Sequence, residues 1–270
     1  MEKEILTLEE AAGLFDVSVK TFIKLLREEK IPARKIGREW RFSREALIRW
    51  LSEGNSQSYS GSEAETREFF DKVAPIWEEM RKGYYNESVK NKIMELEIFE
   101  KAMTVVDLGC GDGFLSRAIA GYVNKVVAVD ISGEMLKELK DKAESEGIRN
   151  ITALESDGRD VPLGDSSADI VLANMYLHHI EEPETAIGEM HRLLKPGGTA
   201  IVADFYEHSD IELTERMRDI WPGFKPDSIA ERFREKGFEK IEIMKISNDS
   251  PDNGNNKNKI DMFILTAVRK

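Results

Sequence analysis

The chain has 270 residues, 41% of them hydrophobic, and carries a formal net charge of −12. That length and apolar content are enough for one large and one small domain. No apolar run approaches the roughly 20 residues of a membrane span, and no basic-then-apolar leader is seen, so we expect a cytoplasmic protein without membrane attachment. Cys110 is the only cysteine. This excludes an internal disulfide and a cysteine-cluster metal site, and we expect no bound metal.

The charge is unevenly distributed along the chain. The first 51 residues hold 11 Lys/Arg and 9 Asp/Glu, so the front is +2 and the remainder is −14. The segment from Lys30 to Arg44 contains six basic residues and one acidic residue, Glu39. Because an acidic body repels nucleic acid, any contact with a polyanion is expected in the front segment.

Two short helices are predicted at the beginning of the chain. TLEEAAGLF has Thr7 as its N-cap, and Ser18 can cap the amphipathic segment VKTFIKLLREEK. Asp16 and Val17 join them, which predicts a helix-turn-helix. The following stretch, IPARKIGREWRF, reads as a basic hairpin, or wing, and REALIRWL as a closing helix.

In order and spacing, residues 5–51 resemble the small winged helix-turn-helix domains of the excisionase and MerR-like group. The chain departs from the group at Asp16, where relatives usually have glycine. The resemblance implies binding of double-stranded DNA, with the second helix in the major groove and the wing on phosphates. It assigns base contacts to Lys20, Thr21 and Lys24, and backbone contacts to Arg34, Lys35, Arg38 and Arg41. The alternatives are a merely solvated basic face or a protein partner. Because one half-site reader normally needs a second copy, a homodimer is considered.

The Ser- and Gly-rich stretch LSEGNSQSYSGSEAE predicts a flexible connection. We therefore predict a DNA-binding domain at 1–51, a linker at 52–64 and a second domain at 65–270. In that second domain, strands alternate with helices, which predicts a doubly wound α/β fold with a seven-stranded sheet whose last two strands form an antiparallel hairpin. The predicted strands are 103–108, 125–130, 151–154, 168–173, 199–204, 240–246 and 261–268, and the predicted helices between them are 113–120, 133–146, 183–194 and 226–236.

The stretch VVDLGCGDGF places a glycine cluster directly after the first of these strands. Gly109, Gly111 and Gly113 follow G-x-G-x-G rather than the dinucleotide pattern G-x-G-x-x-G, and Asp107 and Asp112 edge the loop. Like charges about 4 Å apart repel by roughly 4 kcal/mol at an effective dielectric of about 20, so a diphosphate is disfavoured and an ammonium is favoured. S-adenosylmethionine has an ammonium, a sulfonium and no phosphate.

Further positions fit the same ligand. Asp130 ends the strand VVAVD and can accept from ribose hydroxyls, Asp157 can accept from the adenine amino group, and Ile131 and Met135 could sandwich the ring. Asn174 and Met175 lie at the end of the fourth strand and are expected at the methionine end. The complete predicted cofactor set is Asp107, Gly109, Cys110, Gly111, Gly113, Asp130, Ile131, Met135, Asp157, Gly158, Asn174 and Met175.

These segments, together with ADIVLANMYLHHIEEP and LLKPGGTAIVADF, resemble class I S-adenosylmethionine-dependent methyltransferases over about 65 to 270. The resemblance implies a Rossmann-like fold and methyl transfer that leaves S-adenosylhomocysteine. A Rossmann-type protein that binds NAD or no ligand is the alternative. Another alternative, from a different class, is a regulator that senses S-adenosylmethionine or S-adenosylhomocysteine without turnover.

Methyl transfer from a sulfonium mainly requires alignment, and a base is needed only where the nucleophile keeps its proton. His179 and His178 are the candidate catalytic residues, although the pair could instead order the turn before Pro183. Tyr84 and Tyr85 fall where relatives fold a helical lid and could contact substrate or simply pack.

The acceptor class is narrowed by what the chain lacks. A D/N-P-P-Y loop, a Pro-Cys nucleophile and several thiols are absent, so methylation of DNA bases or arsenite is not expected and a small-molecule acceptor is predicted.

Overall fold

The computed structural model describes residues 3–19, 22–23, 26, 31–37, 39–53, 60–82, 85, 87–246 and 260–270. The chain divides into two compact units, Met1–Ser62 and Glu63–Lys270. Within the predicted linker 52–64, residues 52–53 end one helix and 60–64 begin another, and 54–59 lie outside the described residues. Alanine and glutamate at 63–65 favour that helical start. The domain limits proposed from the sequence stay a prediction.

The first unit is a small sheet with helices. Its elements are β1 (Ile5–Leu6), a helix at Leu8–Leu14, β2 (Arg34–Ile36), β3 (Glu39–Ser43) and a helix at Arg44–Glu53. The strands pair antiparallel in the order β1-β3-β2, so β2 and β3 form the predicted wing. A capping box opens the first helix, since Thr7 Oγ1 accepts from the Glu10 backbone N–H and Glu10 accepts from the Thr7 backbone N–H.

Aromatic packing holds this unit together. The buried Phe22 ring stacks on Phe15, with centroids 5.8 Å apart, and meets Phe42 edge-on at 5.2 Å. Asp16, between the two predicted helices, has φ 54, so it takes the left-handed conformation in which the related domains have glycine. Further buried core residues of the unit are Leu6, Ala11, Ala12, Ile31 and Leu47.

Helices precede the sheet of the second unit. They span Ser60–Val73, Trp77–Lys82 and Glu87–Met94, with a 3-10 turn at Ala74–Ile76. The segment ETREFFDKVAPIWEEM has a helical sequence pattern, and the structure forms helices on both sides of a 3-10 turn at Ala74–Ile76. Pro75 lacks the N–H that a continuous α-helix requires, which accounts for the interruption.

A seven-stranded sheet forms the centre of the second unit, in the order β6-β5-β4-β7-β8-β10-β9. Its strands are β4 (Thr104–Leu108), β5 (Lys125–Asp130), β6 (Ile151–Glu155), β7 (Ala168–Asn174), β8 (Leu194–Phe205), β9 (Phe238–Ile246) and β10 (Met262–Arg269). β4 to β8 run parallel, whereas β10 is antiparallel to both β8 and β9. The predicted doubly wound fold and its closing antiparallel pair are confirmed.

Helices cover the sheet on both faces. They span Phe114–Ala120, Gly133–Ser145, Pro183–Leu193, Ile211–Met217 and Pro226–Glu235. The helix at Ile211–Met217 was not predicted, and β8 begins at Leu194 instead of 199, because Leu194 already pairs with Ala168 before a register irregularity. None of the helices among the described residues is long and apolar enough to cross a membrane.

Alternate residues of each strand face opposite cores. Val105 and Ile170 pack on one side of the sheet, whereas Val106 and Val171 pack on the other. The strand order reverses between β4 and β7, so the loops at their carboxyl ends diverge and leave a crevice. Ligands of open α/β sheets bind in such a crevice, so the ligand site is expected at the carboxyl ends of β4 and β7.

Candidate functional site

The glycine loop after β4 is constrained from two sides. Gly109 has φ +66, and a Cβ built on it would lie 2.4 Å from Cδ2 of Tyr176, which is buried beneath the loop. Gly111 has φ +54, and its Cβ would approach the indole nitrogen of Trp77 at 3.3 Å. Both positions therefore require a residue without a side chain, for conformation and for space.

Two carboxylates of the loop are buried but differently compensated. Asp107 is 1% exposed and accepts from Ser116 Oγ at 2.6 Å. Burial raises the pKa of Asp107 to about 7. Asp112 accepts from Lys142 Nζ at 2.6 Å through Oδ2, whereas its buried Oδ1 has no partner among the described residues. The Lys142 ammonium thus neutralises part of the charge of Asp112. Asp112 Oδ1 has no partner among the described residues, and Asp107 has a neutral hydroxyl as its side-chain donor.

Asp130, at the end of β5, joins the loop to the next helix. Its Oδ2 accepts from the Gly111 N–H at 2.8 Å and its Oδ1 from the Ser132 N–H at 2.9 Å. Burial raises the pKa of Asp130 to about 6. Ser132 Oγ caps the helix by accepting from the Met135 N–H at 3.0 Å and donates to Asp71 Oδ1 at 2.6 Å. Asp71 lies in the helix Ser60–Val73, so that helix is attached to the strand ends.

The remaining predicted cofactor residues lie at neighbouring strand ends. The Asp157 carboxylate, after β6, accepts a hydrogen bond from Arg159 Nη2 at 2.7 Å, so this carboxylate is paired. The Asp157 backbone carbonyl accepts from the Tyr176 hydroxyl at 2.8 Å. Met135 is almost fully buried in the core, whereas Ile131 is half-buried. The other predicted positions, all at or directly after strand ends, are Cys110, Gly113, Gly158, Asn174 and Met175.

The helices Ser60–Val73 and Trp77–Lys82, with Tyr85 after them, form a cover against these strand ends. The Phe70 ring lies edge-on to Trp77 at 5.6 Å and to His179 at 5.2 Å. Tyr85 is buried and lies edge-on to Phe114 at 5.9 Å. Burial raises the pKa of Tyr85, so it stays protonated in the neutral range. Tyr84 lies outside the described residues.

A buried arginine, which the sequence did not single out, belongs to the same cover. Arg81 is 4% exposed and its guanidinium carbon lies 3.8 Å above the centroid of the Phe114 ring. Its Nε and Nη1 atoms have no hydrogen-bond partner among the described residues. A guanidinium with unused donors attracts an anionic group such as a carboxylate.

The two candidate catalytic histidines follow β7 in a 3-10 turn, Leu177–His179. His178 Nδ1 lies 2.7 Å from Asp204 Oδ1, and the Oδ1 atom of Asp219 lies 3.5 Å from His178 Nε2 and 3.6 Å from His179 Nδ1. Although burial opposes it, Asp204 and Asp219 raise the pKa of His178. Burial and then His178 lower the pKa of His179, and burial raises that of Asp219 to about 6.

Local hydrogen bonds position Asp219. The Ile220 and Trp221 backbone N–H groups both donate to the His178 carbonyl at 3.0 Å. The Trp221 indole N–H donates to the Ile180 carbonyl at 2.9 Å. Because these hydrogen bonds join the residues after Asp219 to the 3-10 turn, Asp219 is held beside the imidazoles of His178 and His179.

In the first unit, the predicted DNA contacts that the structure describes all lie on the wing. Arg34 and Lys35 are exposed on β2, and Arg34 pairs in register with Arg41 on β3. Arg41 is half-buried and forms an ion pair with Glu39, so part of its charge is already neutralised. Four residues predicted to contact DNA lie outside the described part of the chain: Lys20, Thr21, Lys24 and Arg38.

Comparison with known proteins agrees with this geometry. A family model described as a methyltransferase domain matches residues 106–202, which include the glycine loop and β4 to β7. This segment of the chain is similar to methyltransferase domains. A second model, described as a helix-turn-helix domain, matches residues 5–55.

Individual relatives match the methyltransferase domain in part. An uncharacterized methyltransferase, YcgJ of Bacillus subtilis, is 30% identical over 43% of this chain and 48% of the relative. The malonyl-[acyl-carrier protein] O-methyltransferase of Pectobacterium atrosepticum is 30% identical over 48% of this chain and 49% of that protein. The chain spans about half the length of the curated relatives it matches.

Solved structures share the fold. A Bacillus halodurans protein described as a putative methyltransferase has a TM-score of 0.56 and 19% identity, covering 66% of this chain and 97% of that one. The [4+2]-cyclase SpnF has a TM-score of 0.63 and 17% identity, covering 75% and 94%. At these identities the likeness concerns the fold alone.

In the methyltransferase domain, the predicted cofactor residues lie around the carboxyl ends of β4, β5, β6 and β7. Their role in binding stays a prediction, as do the catalytic roles of His178 and His179. Sequence reasoning missed Arg81, Asp204 and Asp219. The sequence contains a local indication of Asp204, because this carboxylate stands near the end of the apolar strand TAIVADF. It contains no comparable indication that Asp219 belongs to the site.

We expect alanine at Gly109 to destabilise the methyltransferase domain. The new Cβ would lie 2.4 Å from the Tyr176 ring at φ +66, so the cost should be roughly 1–3 kcal/mol. Gly121→Ala is the matched control, because Gly121 has φ −66 and nothing within 4 Å of its Cβ position. Thermal unfolding of both variants measures the difference, and equal melting temperatures would contradict this account of the loop.

The titration of Asp107 should make stability depend on pH. Its pKa rises from an ordinary 3.8 to about 7 on folding, so its contribution to stability is complete below about pH 4 and is lost as pH rises through about 7. Relative to Asp107→Asn, the wild type should lose free energy of unfolding by up to about 1.4 kcal/mol per pH unit in this window. Urea unfolding without ligand at several pH values tests it. A difference that does not change with pH would refute the assignment.

Proposed function

We propose that residues 65–270 form an S-adenosylmethionine-dependent methyltransferase that acts on a small molecule, and that residues 1–51 bind double-stranded DNA. The observation that carries the first part is the acidic glycine loop: buried Asp107 and Asp130 lie at the ends of adjacent parallel strands in the segment that the methyltransferase model matches. Such a loop favours a cationic ligand over a diphosphate.

The side chains present fit S-adenosylmethionine. Asp107 and the unpartnered Oδ1 of Asp112 supply negative charge for the ammonium, and the unused donors of Arg81 suit the methionine carboxylate. Asp130 already accepts two backbone N–H groups, but each carboxylate oxygen accepts more than one hydrogen bond, so ribose hydroxyls remain compatible. Asp157 would have to share its carboxylate with Arg159 to reach the adenine.

When bound, S-adenosylmethionine supplies an activated methyl group, and S-adenosylhomocysteine is the product. The contribution of this chain is to orient the reactants and exclude water. The cover provides the second function, since Phe70 and Trp77 pack together and Asp71 fixes the helix that carries Phe70 to Ser132. In this proposal the acceptor lies near the candidate catalytic residues His178 and His179, beside Met175 at the methionine end of the cofactor.

Two named relatives act on different molecules, a 2-methyl-6-phytyl-1,4-hydroquinone and malonyl-[acyl-carrier protein]. Neither acceptor is a nucleic-acid base, and the hydroquinone is a small molecule, which supports the small-molecule acceptor that we propose for this chain.

A binding and turnover experiment tests the methyltransferase proposal. Calorimetry should detect S-adenosylhomocysteine and not NADH, and Asp107→Asn should weaken binding about 10- to 100-fold, because a charged hydrogen-bond partner is lost. Asp165→Asn is the control, since the Asp165 side chain is 75% exposed. Methyl-labelled cofactor incubated with a metabolite extract should transfer its label. Binding without any transfer would favour a sensor of the cofactor, and preference for NADH would reject both readings.

DNA binding by the helix-turn-helix domain should depend steeply on salt. Replacing exposed Arg34 and Lys35 by Gln should weaken binding to all sequences and reduce the slope of log K against log[salt] by about one per lost phosphate contact. Arg49→Gln is a suitable control, because Arg49 pairs with Glu45 on the last helix of this unit. Gel-shift titrations measure the slope, and mass measurement of the complex tests the homodimer. A shift that is absent or insensitive to salt would count against DNA binding, and a protein partner would remain the alternative.

A further inference from the structure

Three buried side chains converge outside the cofactor residues: His178, His179 and Asp219. One ligand atom of each lies within 4.8 Å of the other two. The Asp219 Oδ1 atom is 3.5 Å from His178 Nε2 and 3.6 Å from His179 Nδ1. The side chains are 3%, 10% and 1% exposed, respectively. The cluster is therefore a closed group of one carboxylate and two imidazoles.

The cluster is not satisfied by the protein. His179 Nδ1 and both carboxylate oxygens of Asp219 are buried and have no hydrogen-bond partner among the described residues. Each unsatisfied buried polar atom costs about 1–3 kcal/mol. A proton on His178 Nε2 could be shared only with Asp219 Oδ1, 3.5 Å away, and His179 Nδ1 would still have no hydrogen-bond partner among the described residues. A single cation between the three atoms would satisfy all of them.

The spacing matches a metal ion of defined type. Bonds of about 2.0–2.2 Å to nitrogen and oxygen ligands in a tetrahedron place neighbouring ligand atoms about 3.4 Å apart. The observed separations from Asp219 to the imidazoles, 3.5 and 3.6 Å, are close to that edge, and the third separation, between the two imidazoles, is within 4.8 Å. Two imidazoles and one carboxylate are a ligand set that zinc and related transition metals accept.

The surroundings hold the ligands in the required orientation. His178 Nδ1 lies 2.7 Å from Asp204 Oδ1, which also accepts from the Phe205 N–H at 2.8 Å. A carboxylate on the distal nitrogen of a histidine is the usual support of a metal ligand, because it fixes the tautomer and turns Nε2 toward the metal. The His178 carbonyl, in turn, holds the loop that carries Asp219.

We propose that His178 Nε2, His179 Nδ1 and the Asp219 carboxylate bind a divalent transition-metal ion of the Zn²⁺ class. Three protein ligands leave a fourth coordination position for an oxygen of the acceptor or for water. His179 lies edge-on to Phe70 of the cover. The site replaces the expectation of no metal and gives the two histidines a role other than general base. Metal binding itself does not depend on the proposed methyl transfer.

The experiment uses the full chain after removal of metal with a chelator. Calorimetry with ZnCl₂ should give one ion per chain for the wild type and for His191→Gln, because His191 lies edge-on to Phe238 and outside the trio. Asp219→Asn and His179→Gln should abolish stoichiometric binding. Asp204→Asn should weaken it about 10- to 100-fold, because the ligand His178 loses its support. Cobalt added to the wild type should give the visible absorption of a four-coordinate ion.

Binding of S-adenosylhomocysteine to each variant reports whether it has folded. Retained binding of that compound with lost zinc binding supports the site. Zinc binding to the wild type without capture of S-adenosylhomocysteine would reject the proposed function and keep the metal site. Absence of one bound zinc in the wild type, an unchanged zinc affinity in both ligand variants, or no visible band with cobalt would overturn the proposal.

Discussion

The two hydrogen bonds of Asp130 hold the candidate site of the second unit in place. Through them, one carboxylate joins the end of β5, the glycine loop at Gly111 and the helix that begins after Ser132. Ser132 then extends the connection to Asp71 in the cover. Removing the carboxylate would free the loop backbone and the helix start together, so the geometry of the crevice depends on this residue before any ligand is considered.

The burial of two carboxylates at the glycine loop raises the free energy of their charged forms. Asp107 and Asp130 are buried next to one another, and burial raises the pKa of both. The free protein therefore bears a cost near neutral pH that a cationic ligand would offset. Sites that bind charged ligands commonly sacrifice stability in this way. Lys142 compensates Asp112 only through one oxygen, which leaves the loop acidic overall.

Features that depend on neighbouring residues in the chain were predictable from the sequence. The parallel strands, the glycine loop and the carboxylate that ends β5 follow from apolar runs and the residues directly after them. The helix interruption at Pro75 was overlooked although its cause is local. Arg81 and Asp219 were not predictable, because one gains its meaning by stacking on Phe114 and the other by its distance to the histidines. Both contacts join segments that are distant in sequence.

The histidine pair shows how this limit affects function. LHHIEEP alone is compatible with a general base, with a turn that packs, or with metal ligands, and the sequence contains nothing that separates the three. The structure adds Asp204 on one side of His178 and Asp219 between the two rings. A base would need a free path to the acceptor proton, whereas both imidazoles instead direct nitrogen atoms at a shared carboxylate. Because a carboxylate that faces two imidazoles is complemented by a cation, the proposed metal site depends on Asp219 as much as on the histidine motif itself.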